Sequence, residues 1–70
     1  MNGPQLREAI LELELKIEKT QDPNEVADLQ WKMEELYKNL VSLTGLSQEA
    51  LEATITKQYP EWLRNRGSQT

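Results

Sequence analysis

Two apolar seams separated by an aspartate–proline pair govern what this chain can fold into. Leu6, Ile10, Leu13 and Ile17 recur at spacings of 4, 3 and 4 residues. After Asp22-Pro23, the positions Val26, Leu29, Met33, Leu36, Leu40 and Leu43 recur at 3, 4, 3, 4 and 3. Apolar residues at that period line one side of an α-helix. Two such helices joined by a short connection bury their stripes most readily against each other, so the pattern predicts an antiparallel helical hairpin.

Capping chemistry sets the expected boundaries. Pro4 suits a first helical turn, where its missing N–H has no partner to lose, so helix 1 is expected over about 4–20 after a frayed start at 1–3. Asp22 precedes a proline and is pushed towards extended backbone. It can cap helix 2, with Pro23 at the first position and Glu25 placed to reach back as in a capping box. That helix is expected over about 23–44, closed by Gly45 in the left-handed conformation. Ser47 offers a third cap, with Leu46 and Leu51 in the arrangement of a hydrophobic staple. Helix 3 is expected over about 48–58, with Tyr59-Pro60 interrupting it and Pro60 opening a final turn over about 60–65. The expectation is thus an all-α protein: a two-helix hairpin with a shorter third helix packed on it and a final Pro-initiated helical turn. Residues 1–66 form one domain in this reading, followed by a flexible tail at 67–70.

Composition narrows the chemistry. The chain has 70 residues, with no cysteine and no histidine. Those absences remove disulfides, thiol nucleophiles, the commonest general base and the usual zinc ligands. The carboxylates Glu8, Glu12 and Glu18, or Asp28, Glu34 and Glu35, are best read as solvated helix faces. Ser42 and Ser47 have no histidine to act as base. No enzymatic activity, catalytic residue, metal, cofactor or small-molecule substrate is expected. With no apolar run long enough for a membrane span and no basic-then-apolar start, a cytoplasmic protein without a membrane partner is expected. The formal net charge is −4, with Lys57, Arg64 and Arg66 concentrated near the C-terminus. An acidic body of this kind does not attract phosphate, so nucleic acid is not an expected partner.

Some apolar residues fall outside the seams. On a helical projection Leu11 and Leu15 sit roughly 140–180° from their seam, and Ala27 and Trp31 lie on the far side of theirs. The hairpin brings Leu11 level with Trp31 and Leu15 level with Ala27. Helix 3, a second copy of the chain or another protein can cover this second stripe. The segment Tyr59-Pro60-Glu61-Trp62-Leu63-Arg64-Asn65-Arg66 adds residue types enriched at interface hot spots. A protein–protein interaction module, forming a homodimer or binding another protein, is therefore the expected role. Leu11, Leu15 and Trp31 are its candidate mid-hairpin contacts, and Tyr59, Trp62, Arg64 and Arg66 its second contact.

Two resemblances suggest other roles. Leu40-Val41-Ser42-Leu43-Thr44-Gly45-Leu46-Ser47-Gln48-Glu49-Ala50-Leu51 resembles a helix-turn-helix corner, with Gly45 at the turn and Leu46 buried behind it. That resemblance implies a DNA-associated regulator using residues 40–58, its exposed face formed by Gln48, Glu49, Glu52, Thr56 and Lys57. Separately, Leu6-Arg7, Ile17-Glu18-Lys19, Asp22-Pro23-Asn24-Glu25-Val26 and Leu29 are similar to the small helical-hairpin aspartyl-phosphate phosphatases of the sporulation phosphorelay. This likeness spans about 6–43 and implies action on a phosphorylated response regulator. The family signature is Ser-Gln-Glu-Leu-Asp, whereas this chain reads Gln30-Trp31-Lys32-Met33-Glu34. Only Glu34 keeps the acidic position.

Overall fold

A computed structural model describes residues 2–68, which form three α-helices: α1 (Gly3–Lys19), α2 (Pro23–Thr44) and α3 (Gln48–Ser68). The first two make the expected antiparallel hairpin, and α3 packs on both. The start of α1 is held by a capping box that the sequence reading overlooked. Asn2 Oδ1 accepts from the Gln5 N–H at 2.9 Å, and Gln5 Oε1 accepts from the Asn2 N–H at 3.0 Å. Asn2 therefore caps where fraying was expected, and only Met1 of that segment lies outside the described residues. The helix ends at Thr20, whose extended backbone (φ −83°, ψ 139°) breaks the repeat.

Proline sets the entry to α2, as expected, but the cap is simpler. Asp22 Oδ1 accepts from the Asn24 N–H at 3.0 Å. Glu25 contributes a negative charge to the first turn, where it favours the positive end of the helix dipole. Gly45 closes α2 with φ 77° and ψ 2°, its N–H donating to the Val41 carbonyl at 2.8 Å. Only glycine takes that left-handed geometry without steric cost. The Ser47 Oγ then accepts from the Ala50 N–H at 3.2 Å and starts α3.

The third helix departs from expectation. It is not broken at Pro60 but runs unbroken for 21 residues, longer than the 17 of α1 and one short of the 22 of α2. Pro60 removes the N–H that would bond the Thr56 carbonyl, a loss that often ends a helix. Thr56 is exposed, so water can take up that carbonyl. The turns beyond Pro60 are held by side-chain contacts to α1, and tertiary contact outweighs the local signal. The helix includes Gly67 and Ser68, where a flexible tail was expected; Gln69 and Thr70 lie outside the described residues.

The core also turns further round each helix than the seams implied. Leu6, Ile10 and Leu11 of α1 are buried with Tyr37 and Leu40 of α2 and Leu51 and Ile55 of α3. Ile10 and Leu40 are wholly inaccessible, and Ile55 is 1% exposed. Leu11 lies about 100° round from Ile10, on the side that α3 covers. Leu13, Ile17, Met33 and Leu36, all seam positions, are only half-buried. Leu43 ends the second seam in solvent, 56% exposed.

Candidate functional site

The C-terminal half of α3 is fastened to an acidic row on α1. Trp62 donates its indole N–H to both carboxylate oxygens of Glu8, at 3.1 Å each. Arg66 pairs with Glu12, and the Tyr59 hydroxyl donates to Glu18. Three residues on one side of α3 thus meet three glutamates on α1. The Tyr59 and Trp62 rings stack with centroids 6.1 Å apart, and the Arg66 guanidinium lies 5.1 Å from the centre of the Trp62 ring. Cation–π and charged hydrogen-bond contacts reinforce one another here. Partial burial, the Glu18 hydrogen bond and the charges of Glu18 and Glu14 push the Tyr59 hydroxyl up to about 12. Tyr37 is also raised to about 12, chiefly by burial and then by the charges of Glu52 and Glu14.

The opposite side of the hairpin is open. A groove of about 540 Å³ runs between α1 and α2, floored by Ala9, Leu13 and Leu36 and flanked by Trp31. Trp31 is 62% exposed, the most exposed large apolar side chain among the described residues. Its rim carries four charges: Glu12 and Lys16 from α1, Lys32 and Glu35 from α2. A second cleft, of about 380 Å³, lies between α1 and α3 and is bordered by charged side chains including Arg7, Glu8 and Glu61. The α1–α2 groove is the more apolar of the two.

The predicted contact residues therefore separate. Leu11, placed on a partner-facing stripe by the helical projection, is only 4% exposed and belongs to the core of the single chain. Leu15 is half-buried. Trp31 is held away from both, because α3 takes the Leu11 side while Trp31 points into the opposite groove. Tyr59, Trp62 and Arg66 spend their polar groups on α1 within the same molecule; Arg64 is exposed. The sequence reading missed the groove itself. Its signal was present in Leu13 and Leu36, which lie at the edges of their seams, with charged residues just beyond.

The other suggested sites fare differently in geometry. Gln48, Glu49, Glu52, Thr56 and Lys57 are all exposed, and the Gln48 amide donates to Glu52 at 3.3 Å. That face of α3 carries two carboxylates where a helix entering DNA would meet phosphates. Leu46, expected behind the corner, is 52% exposed, because its N–H is held by the Thr44 hydroxyl and its side chain turns outward. Glu34 borders a small cleft with Tyr37, Gln48 and Glu52. Among the described residues, no acidic cluster could hold a metal ion, and no helix is long and apolar enough to cross a membrane. No protein-family model, curated protein or solved structure matches the chain.

Proposed function

We propose that the protein is a non-enzymatic interaction module, a small regulator, adaptor or assembly factor that binds protein through the α1–α2 groove. One observation carries this reading. The hairpin has its other apolar flank covered by α3, while Trp31 stands 62% exposed beside an apolar groove. Aromatic side chains beside an apolar recess are the usual anchors of protein recognition, because they bury much area at low entropy cost. The rim of lysines and glutamates supplies the polar border that such a surface needs.

The test is a photo-crosslinking amino acid placed at position 31 in cells, with the same group at the exposed Asn24 as control. Protein adducts at position 31 and none above background at position 24 are expected. Equal labelling at both positions, or none at either, removes the groove as a contact face.

A further inference from the structure

We propose that the part of α3 beyond Pro60 is a strap that opens from α1 as one unit while the three-helix core stays folded. Two independent observations put its boundary at the same residue. Pro60 lies inside the helix and has no N–H for the Thr56 carbonyl, so the backbone ladder is one bond short there. Burial stops there as well. Leu51 and Ile55, the residues of α3 in the core, precede Pro60. Beyond it, Glu61, Arg64, Asn65 and Arg66 are exposed, and Trp62 and Leu63 are half-buried. Segments with little buried apolar surface and solvent-exposed backbone bonds open at lower free energy than the core they adjoin, and contiguous ones open cooperatively.

Side-chain chemistry holds the strap closed. Trp62 donates to both oxygens of Glu8, Arg66 pairs with Glu12, and the Arg66 guanidinium lies 5.1 Å from the centre of the Trp62 ring. The contacts share members, so a displaced Arg66 leaves both Glu12 and the ring. That sharing couples them into one closure. Each is made between solvent-accessible groups and is weak alone. Opening strips Glu8 and Glu12 of these partners and takes Trp62 out of the cleft that it shares with Leu11. Glu12 also lines the α1–α2 groove. The closed strap sets an arginine against that rim carboxylate, and the open strap leaves it a free anion. The charge on one rim of the groove therefore depends on the state of the strap, whether or not the groove holds a partner.

Native-state amide hydrogen exchange of the full chain, read residue by residue by NMR at several urea concentrations below the unfolding transition, tests the proposal. The amides of residues 61–66 are expected to share one protection factor, at least about tenfold below those of Ile10, Leu40 and Ile55, with a step at Pro60. They are also expected to share one urea dependence, above zero and shallower than that of the core. Arg66→Ala, at an exposed site, removes both the ion pair and the cation over the ring. It is expected to lower protection about fivefold, and by the same factor at Leu63 as at Asn65, because one opening exposes both. Protection that declines smoothly from Ile55 to the end without urea dependence is ordinary end fraying and overturns the proposal. So does protection equal to the core with the core's urea slope, which means that the segment unfolds only with the whole chain. An Arg66→Ala effect confined to the last turn overturns the shared closure, and amides without protection in the wild type show that the strap is not closed.

Discussion

The Trp62 indole N–H donates to both oxygens of Glu8 at 3.1 Å, joining the last helix to the first across 54 positions of chain. Together with the Arg66–Glu12 and Tyr59–Glu18 contacts, it decides which flank of the hairpin is closed and hence which is left open. Function, in this reading, follows from where α3 docks. Closing the Leu11 side leaves Trp31 and the apolar floor of the opposite groove open to solvent.

That docking can be weighed directly. Trp62→Phe keeps a ring against Tyr59 and Leu11's neighbourhood but leaves Glu8 without its donor, which is expected to cost about 1 kcal/mol. Trp62→Ala also removes the ring from Arg66 and the half-buried contact with α1, and is expected to cost about 3 kcal/mol. Urea unfolding followed by helical circular dichroism measures both. Equal losses for the two variants would mean that the indole N–H, not the ring, holds α3.

Leu11 and Leu15 provide a contrast within one helix. Leu11 is 4% exposed in the core and Leu15 is half-buried. Leu11→Ala is expected to cost about 3 kcal/mol, and Leu11→Glu to unfold the chain by placing a carboxylate in the core. Leu15→Glu is expected to leave it folded. A folded Leu11→Glu variant with altered self-association would return that leucine to the surface.

The residues that were legible in the sequence, and those that were not, divide along a physical line. Helix ends set by local chemistry could be read: Asp22 with Pro23, Gly45 at φ 77°, and Ser47 as a cap. The hairpin followed from the spacing of Leu6, Ile10, Leu29 and Leu40. Matters decided by tertiary contact could not be read. Pro60 looked like an interruption because the partners of Tyr59, Trp62 and Arg66 lie 41 to 54 positions away. Leu11 and Trp31 looked like one stripe because a helical projection shows heights and angles on each helix separately. It does not show that the third helix covers one side. Tyr37, buried at 4%, lay outside the narrow seam for the same reason: its burial depends on Leu51 and Ile55 arriving from α3.

Pro60 makes a separate prediction. Within a helix interior proline costs about 3 kcal/mol relative to alanine, though it also stiffens the unfolded chain and recovers part of that. Pro60→Ala restores a donor for the Thr56 carbonyl and is expected to raise stability by about 1–2 kcal/mol, seen as a higher urea midpoint at unchanged slope. A lower midpoint would show that the backbone at Pro60 aims Trp62 and Arg66 at α1.

Tyr37 gives the chain an alkaline limit. Its hydroxyl is raised from 10.0 to about 12 in the folded state, by burial first and then by the charges of Glu52 and Glu14. Between those values the unfolded chain has released a proton that the folded chain still holds. Unfolding is therefore favoured as pH rises, and the contribution of this residue, intact below about pH 10, is lost through about pH 12. The expected slope from a single such group is about 1.4 kcal/mol per pH unit. Tyr59 shifts in the same direction but is more exposed to solvent, so its share is smaller. Lysines titrate in the same range, which makes the informative quantity the difference between wild type and Tyr37→Phe. Urea midpoints taken at pH 9, 10 and 11 should converge for the two proteins as pH rises if the phenylalanine variant begins less stable, or diverge in its favour if it begins equal. Parallel lines would mean that Tyr37 ionises no later in the folded chain than in the unfolded one.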